Sequence, residues 1–483
     1  MAGSKPNRVL LVVCAGVFLS SLDLFIVNIA FPAIGREFGT ARGPLSWILN
    51  AYTIGFAALL APSGRIADRF GRRRVFLVGL VVFCAASLGG ATAWGVGPLI
   101  AFRLVQSVGA AMIMSTSLAL LLHAFPPARR PYAISVWSAV GAAAATLGPP
   151  IGGLLVESSW RWVFLVNLPV GLIAVLAGRR VLTESHDENE ARLPDPLGTV
   201  LLVGGVVGVT YALVTGPDAG WRSPAVAGPL LAGVALLAAT VARAARTPAR
   251  LVPVLPLDLF RLRAFTVANL AAVVFATGFG ALLLTNVLFF TSVWHLNSAH
   301  AGVLLLVGPG VSGLVALPAG RLGHRLGSGP VIMLGAVLYG SGCLWFIRSV
   351  GPEPAYLSHF LPGQLLTGSG VGLIMTNLST AVSSTLTPAV LAVGSATLAA
   401  ARQFGTVLGV AVLLAVMGST RSADPLAPFH NGWTMMATVA ALAFVTAAFI
   451  GRARHVDAPS TDAPSTGLPS TVDGRPAVAP SSS

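Results

Sequence analysis

The sequence predicts an all-α membrane protein with fourteen membrane-spanning helices, arranged as two six-helix bundles with two helices inserted between them. Three observations support this fold class: the composition, a series of apolar runs, and a charged turn motif that occurs twice. Of the 483 residues, 55% are hydrophobic and only 10% are charged, and the mean hydropathy is +0.82. This composition is too apolar for a soluble protein and indicates that lipid surrounds the chain.

Apolar runs close to the roughly 20 residues needed to cross a bilayer recur along the chain. The first run contains Asp23 and Asn28 and is too long for a cleavable signal, so we predict that it is a retained helix. The fourteen predicted spans are residues 9–31, 45–66, 75–94, 98–122, 132–156, 162–178, 197–215, 224–242, 265–291, 300–320, 330–347, 357–382, 393–417 and 433–450.

A charged turn motif ends the second predicted span and returns 256 residues later, at the end of the tenth. The first copy reads GRIADRFGRRR from Gly64 to Arg74, and the second reads GRLGHRLG from Gly320 to Gly327. A duplicated turn of this kind is typical of carriers built from two related halves. Because the shift is eight helices rather than six, the seventh and eighth helices are predicted to be an insertion.

Four regions follow from this arrangement. They are an N-terminal bundle (residues 1–180), a linker with the two inserted helices (181–255), a C-terminal bundle (256–455) and a disordered cytoplasmic tail (456–483). The tail is predicted to be disordered because it is rich in Pro, Ser and Thr. The linker carries an acidic cluster that we interpret as solvated: Glu184, Asp187, Glu188 and Glu190.

The charge distribution indicates the orientation of the chain in the membrane. A net charge of +14 would suggest nucleic acid binding in a soluble protein. Here, 22 of the 30 basic residues lie in segments on one side of the predicted spans and 6 lie on the other. The positive-inside rule therefore predicts that both termini are cytoplasmic, with the lipid bilayer and not nucleic acid as the partner.

The sequence predicts neither an enzyme, a cofactor nor a metal site. Lys5 is the only lysine, so no phosphate-binding P-loop is present. The sequence contains no HExxH or CxxC motif, and its histidines are scattered. Cys14, Cys84 and Cys343 fall within predicted spans, where packing is the expected role.

Asp23 is the only acidic residue predicted deep within a span. A charge at the bilayer centre costs roughly 2.5–3.5 kcal/mol on insertion scales, so a function is expected to compensate. A carboxyl in a gated cavity can take up a proton on one side and release it on the other, and we predict this role for Asp23. Arg103 is predicted to couple to it. The alternatives are a structural hydrogen bond for Asp23 and a snorkelling position for Arg103.

Other residues are assigned to a cavity, a gate and a tight helix interface. The predicted substrate cavity includes Asn28, Gln106, Arg402 and Gln403, although for Arg402 a position near a helix end is an equal alternative. The predicted inner gate comprises Gly64, Asp68, Arg69, Gly71, Arg72, Arg73, Gly320, His324 and Arg325. Asp68 is expected to accept hydrogen bonds from a helix N-terminus or to pair with a neighbouring arginine. Helix 5 carries prolines and small residues suited to a bend at a close contact: Gly141, Gly148, Pro149, Pro150, Gly152 and Gly153.

Together these segments resemble the major facilitator superfamily, specifically its fourteen-helix drug:proton antiporter branch of the EmrB/QacA type. The resemblance covers about residues 9–450. The motifs that carry it are Leu22–Pro32, Gly64–Arg74, Arg103–Ala111, Gly148–Gly153, Trp160–Gly171 and Leu259–Phe265. In that family the helix 4 motif is associated with proton transfer, and the helix 5 motif with antiport rather than uptake.

The resemblance implies a monomer in the cytoplasmic membrane that exports a small antibiotic or toxic compound in exchange for protons. An ion-coupled uptake carrier for a nutrient is the alternative, and the helix 5 motif argues against it. A sensor that transports nothing would leave Asp23 without a role.

Three departures from the family pattern qualify these expectations. Ser107 replaces a glycine of the helix 4 motif, and His324 replaces the acid in the second turn. No acidic residue lies within the tenth or thirteenth predicted span, where some relatives that export cationic drugs carry one. A dicationic substrate is therefore disfavoured, while neutral, zwitterionic and anionic compounds remain open.

Overall fold

The computed structural model describes residues 4–126, 129–185, 193–248, 250–386, 388–418 and 424–450. The predicted tail, 456–483, lies outside this part of the chain. Within it, fourteen helical segments are long and apolar enough to cross a membrane, which confirms the predicted number.

The described chain is almost entirely helical. The sixth span consists of α6 and α7, the tenth is formed by α12 and α13, and a π-helical turn, Tyr356–Phe360, leads into α15. The helices are α1 (Ser4–Phe38), α2 (Arg42–Phe70), α3 (Arg72–Ala91), α4 (Val96–Ala124), α5 (Arg130–Ser158), α6 (Trp162–Leu165), α7 (Asn167–Val181), α8 (Pro196–Ala219), α9 (Pro224–Ala245), α10 (Leu257–Phe260), α11 (Arg263–Ser292), α12 (Ser298–Leu305), α13 (Val307–Leu326), α14 (Ser328–Ser349), α15 (Leu361–Thr385), α16 (Pro388–Met417) and α17 (Ala427–Ala448).

Several helices extend beyond the apolar runs that predict them. The first run was predicted as residues 9–31, whereas α1 has 35 residues and continues through Arg36 and Glu37. Within lipid every backbone N–H and C=O must be paired inside the segment, so a helix crosses the bilayer without a break. Its polar ends continue the same hydrogen-bond pattern where water is available.

The two inserted helices, α8 and α9, pack against each other, and α8 also packs against both α2 and α16. An apolar cluster containing Ile54, Leu202 and Val407 joins α2, α8 and α16. The base of the pair is held by two short parallel strands, β1 (Leu193–Pro194) and β2 (Leu251–Val252). The insertion therefore lies against the junction between the two bundles.

The two bundles share an apolar core at the end of the molecule that holds the α1–α2 turn. One apolar core crosses between them there and includes Ile34 and Leu45 from the first bundle and Leu288, Trp294 and Leu305 from the second. Toward the opposite end, which holds the α2–α3 turn, a separate apolar core belongs to the first bundle alone. Each ion pair between described residues stays within one bundle, within the insertion, or between a bundle and its adjoining linker.

The duplicated turn has the same backbone geometry in both halves. Gly71 separates α2 from α3 with φ +106°, and Gly327 separates α13 from α14 with φ +91°. Each glycine N–H donates to the carbonyl four residues earlier, over 2.9 Å in both cases. Only glycine adopts this φ without strain, which explains why both copies of the motif contain it at this point.

Candidate functional site

Asp23 lies in the middle of α1 and is completely buried. Its Oδ2 is 2.5 Å from Nη1 of Arg103, and its Oδ1 accepts a hydrogen bond of 2.8 Å from Nε2 of Gln106. Asn167 contributes a longer contact, 3.4 Å from its Nδ2 to the same Oδ1. Both carboxylate oxygens are therefore occupied by donors from α4 and α7.

Arg103 is also buried, with only 1% of its surface exposed, so the structure does not place it at a helix end. Besides contacting Asp23, its Nε donates to the carbonyl of Ile48 over 3.1 Å, and its Nη1 donates to Oε1 of Gln106 over 2.7 Å. Its guanidinium lies 4.0 Å from the ring centroid of Tyr52. A buried ion pair needs such additional partners to offset the cost of removing both charges from water.

Two further residues complete the hydrogen-bond network around Asp23. The hydroxyl of Ser87 in α3 accepts hydrogen bonds from Gln106 over 2.8 Å and from Asn167 over 3.3 Å. Neither Ser87 nor Asn167 was identified as a site residue from the sequence, although Asn167 lies within the motif Trp160–Gly171 that contributes to the family resemblance. Gln106 belongs to this network and does not line the cavity to which the sequence assigned it.

The small residues of α5 allow this helix to approach α1 and α12 closely. A Cβ atom at Gly148 would lie 2.9 Å from Cβ of Phe25, and one at Gly152 would lie 2.7 Å from Cγ1 of Ile26. A Cβ atom at Gly153 would lie 2.9 Å from Cα of Ala299 in the second bundle. Gly141 has no such close neighbour. Gly148 and Gly152 therefore pack against α1 within the first bundle, whereas Gly153 contacts α12 of the second bundle, as do Pro149 and Pro150 through Gly302.

A cavity with two lobes lies between the bundles. The polar lobe, of about 220 Å³, is lined by residues including Asn28, Asn50, Arg103, Arg402 and Gln403. The apolar lobe, of about 210 Å³, is lined mainly by carbon, from residues including Ala142, Leu282, Leu305 and Pro309. The two lobes share four lining residues: Phe25, Phe279, Leu283 and Met375.

Arg402 lies in the wall of the polar lobe, so the structure supports its cavity position rather than a position at a helix end. Its Nη2 donates to Oγ of Ser379 over 2.5 Å and to the carbonyl of Met375 over 3.3 Å. Its Nε is buried without a partner, and no carboxylate of the described chain is within ion-pair distance of it. This guanidinium is therefore held by neutral groups alone.

The predicted gate residues of the first turn are connected within their own bundle. Asp68 accepts two hydrogen bonds from Arg72, 3.0 Å from Nε and 2.8 Å from Nη2. Arg73 donates through Nη2 to the carbonyl of Arg179. Arg69 lies over the ring of Phe70, with 5.7 Å from Cζ to the centroid. Of the expected partners, Asp68 thus takes Arg72.

Glu184 was interpreted as part of a solvated linker, and this interpretation is wrong for that residue. Its carboxylate accepts hydrogen bonds from the backbone N–H groups of Arg73 and Arg74, over 2.9 Å and 3.3 Å. The first N–H groups of a helix lack partners within the helix and carry a partial positive charge, which a carboxylate satisfies. Glu184 therefore binds the N-terminus of α3, a role considered for Asp68. The other linker acids, 187, 188 and 190, lie outside the described residues.

Fewer side-chain contacts are described at the second turn, which contains Gly320, His324 and Arg325. Gly320 has room around it, because a Cβ there would lie 3.8 Å from Thr376. Gly64, its counterpart, is similar, with Ser115 at 3.7 Å. Arg325 is exposed, and His324 lies in α13 with its side chain outside the part of the chain that the structure describes.

Comparison with protein families gives a match between residues 13–289 and the family described as the Major Facilitator Superfamily. The multidrug resistance protein Stp of Mycobacterium tuberculosis is 34% identical over 416 residues, covering 84% of this chain and 75% of the relative. The puromycin resistance protein pur8 of Streptomyces alboniger is 34% identical over 420 residues, covering 85% and 82%. The tetracenomycin C resistance and export protein of Streptomyces glaucescens is 32% identical over 416 residues, covering 86% and 76%.

Solved transporter structures share the fold at low sequence identity. A D-xylose-proton symporter superimposes with a TM-score of 0.67 at 13% identity, covering 93% of this chain and 98% of the symporter. A bacterial homologue of the human lysosomal transporter Spinster, in an inward-facing and unoccupied conformation, gives 0.63 at 14% identity, covering 93% and 96%. These matches confirm the predicted fold, and the relatives above confirm the resemblance to drug-resistance exporters.

Proposed function

Because this chain belongs to the Major Facilitator Superfamily, we propose that it exports a small antibiotic or toxic compound across the cytoplasmic membrane in exchange for protons. The observation that carries the proposal is the buried ion pair of Asp23 and Arg103 beside a cavity between the bundles. The proposal places both termini in the cytoplasm and takes the protein to act as a monomer. It retains the domain limits 1–180, 181–255 and 256–455.

In the proposed cycle Asp23 carries the proton. While Asp23 is charged, Arg103 connects α1 to α4 and, through the carbonyl of Ile48, to α2. A proton on the carboxylate removes the negative charge that attracts Arg103 and turns one acceptor oxygen into a donor, so the ion pair is lost. All three helices line the polar lobe or support it, so protonation changes the relative stability of their arrangements.

The movement proposed is a rocking of one bundle against the other around the cavity. The contact of Pro149, Pro150 and Gly153 with α12 closes the α1–α2 end, which is periplasmic or external in this proposal. The Asp68–Arg72 pair and Glu184 lie at the cytoplasmic end. We assign the two turn motifs to the gate that closes there when the opposite end opens.

Transport into inside-out membrane vesicles tests this function. Vesicles from cells with and without the protein receive an imposed gradient, acidic inside, and a panel of labelled antibiotics that includes puromycin and tetracenomycin C. We expect at least one compound to accumulate inside only when the protein is present, and a protonophore to abolish the accumulation. An ion-coupled uptake carrier would instead move its substrate outward with protons. Accumulation that ignores the gradient, or transport of no compound, contradicts the proposal.

A further inference from the structure

We propose that the exported compound carries an anionic group, such as a carboxylate, phenolate or sulfonate, and that Arg402 binds this group in the polar lobe. The inference rests on the proposed function and specifies its substrate class. The apolar part of the same compound would occupy the apolar lobe.

The charges around the polar lobe support an anion. Among the described residues that line it there are two guanidiniums, Arg103 and Arg402, and no Asp or Glu. Arg103 is already neutralised by Asp23, whereas Arg402 contacts only a hydroxyl and a carbonyl. A charge removed from water without a counter-ion is costly, and an anionic ligand would supply the missing partner.

Unpaired hydrogen-bond donors in the same lobe provide a second, independent observation. Asn50 is only 1% exposed, and its Nδ2 has no hydrogen-bond partner in the structure. The Nε of Arg402 is unpaired as well. Buried polar groups in proteins are nearly always hydrogen-bonded, so exceptions that cluster in a cavity indicate where a ligand atom belongs. In the polar lobe both exceptions are donors, which an anionic oxygen would satisfy as an acceptor; the apolar lobe holds an unpaired acceptor, Oδ1 of Asn286.

A cationic compound does not fit this lobe. The carboxylate nearest to it belongs to Asp23, whose two oxygens are occupied by Arg103, Gln106 and Asn167. A bound cation would face Arg402 without a compensating negative charge. The electrostatic cost of two like charges at close distance is largest in an interior of low dielectric constant.

The apolar lobe indicates the rest of the compound. It adjoins the polar lobe through Phe25 and Phe279, whose rings can stack on a planar ligand. Its other walls are mostly aliphatic and glycine residues. An amphipathic molecule with an aromatic or alicyclic skeleton and one acidic group therefore matches both lobes.

Two dyes with the same tricyclic skeleton and opposite charge test the inference: fluorescein, an anion at pH 7.5, and rhodamine 123, a cation. Binding of each dye to the purified protein is measured for the wild type, Arg402→Gln and Arg402→Lys. Arg348→Gln is the matched control, because Arg348 is an exposed arginine at the end of α14. We expect the wild type to prefer fluorescein, and Arg402→Gln to weaken fluorescein binding about tenfold or more without weakening rhodamine 123.

We expect Arg402→Lys to keep fluorescein binding within a few-fold of wild type and Arg348→Gln to leave it unchanged. A wild-type preference for rhodamine 123, no binding of fluorescein, or an equal effect of Arg402→Gln on both dyes would overturn the inference. If Arg402→Gln does not fold, the inference is still tested by the wild-type preference between the two dyes and by fluorescein binding to Arg402→Lys. Proton-driven transport of rhodamine 123 but not of fluorescein would support the proposed function and reject an anionic substrate. Arg402-dependent binding of fluorescein without proton-driven transport would support the anion site and reject the proposed function.

Discussion

The two bundles share one fold but bury different chemistry. The first bundle encloses an ion pair and its hydrogen-bonding partners, centred on Asp23 and Arg103. The second encloses a cluster of aromatic rings, in which Phe289 packs against Phe360 and Trp433, and places one guanidinium, Arg402, in the cavity wall without a counter-ion. The difference suggests a division of labour, with proton chemistry in the first half and recognition of the compound in the second.

The duplicated turns likewise share a backbone shape but differ in the charges around it. Gly71 and Gly327 have nearly the same backbone conformation, so the shape of the turn is common to both halves. Among the described residues, the carboxylate of Glu184 binds the first turn, and none is hydrogen-bonded to the second. The common part is therefore the backbone geometry, while the charges around it differ.

The largest effect on stability is expected from neutralising Arg103, and the matching change at Arg402 provides the contrast. Arg103→Gln leaves a buried carboxylate without its cation, which in proteins costs about 3–5 kcal/mol. Arg402→Gln removes a charge that has no counter-ion, so it should leave stability unchanged or raise it. Thermal unfolding of the purified variants in detergent measures the contrast.

A double variant sharpens this test. Asp23→Asn combined with Arg103→Gln removes both charges and should recover much of the stability lost in Arg103→Gln alone, because contacting residues are energetically coupled. Equal losses for Arg103→Gln and Arg402→Gln, or no recovery in the double variant, would show that the two bundles do not differ in this way.

A smaller effect is expected at the paired glycines. Alanine at either Gly71 or Gly327 forces a non-glycine residue to a positive φ, at a cost of about 1–3 kcal/mol. Gly71→Ala should cost more, because its Cβ would lie 2.6 Å from Cδ of Glu184 and displace the carboxylate from α3. Melting temperatures of the two single variants check this order. The order should be the same when Glu184→Gln is added to Gly71→Ala. A larger loss for Gly327→Ala would contradict it.

The smallest effect concerns the inserted helices. Two hydrogen bonds from Arg243, of 2.8 Å and 3.1 Å, hold the pKa of the Asp195 carboxyl below its usual 3.8. A lowered pKa in the folded state contributes stability above the unfolded pKa, and this contribution disappears as the pH falls through the folded pKa. The wild type should therefore melt slightly above Asp195→Asn at pH 7, and the difference should shrink below about pH 4.

An exposed ion pair provides the control for that comparison. Asp258 and Arg261 are 3.9 Å apart with side chains 93% and 85% exposed, so Asp258→Asn should not change the melting temperature measurably. A difference between wild type and Asp195→Asn that stays constant from pH 7 to pH 3 would show that the carboxylate charge does not stabilise the inserted pair.

The fold could be predicted because the bilayer imposes simple rules on a sequence. Lipid requires long apolar helices, so fourteen apolar runs gave fourteen spans, and the repeated glycine turn indicated two related halves. The proximity of Asp23 and Arg103 was also expected, because a buried charge is costly unless an opposite charge compensates it. These inferences depend on residues whose cost in lipid is large.

The remaining parts of the site depend on packing, which a single sequence does not reveal. Gln106 was expected in the cavity, but α4 turns it toward Asp23. Ser87 resembles many other serines in apolar helices, and nothing in its local sequence distinguishes it. Glu184 lies in a run of acidic residues, and its contact with α3 depends on the linker returning to that helix, which the local sequence does not indicate.

Gradient-driven transport by an Asp23→Asn variant tests most directly whether Asp23 carries the proton. The measurement uses inside-out vesicles and the antibiotic that the wild type accumulates most strongly, with Asp23→Glu as the variant that keeps a carboxyl. We predict that, in vesicles holding equal amounts of each variant, Asp23→Asn accumulates no more antibiotic than vesicles without the protein, while Asp23→Glu retains measurable transport. Accumulation by Asp23→Asn at the wild-type level, still abolished by a protonophore, would contradict the account.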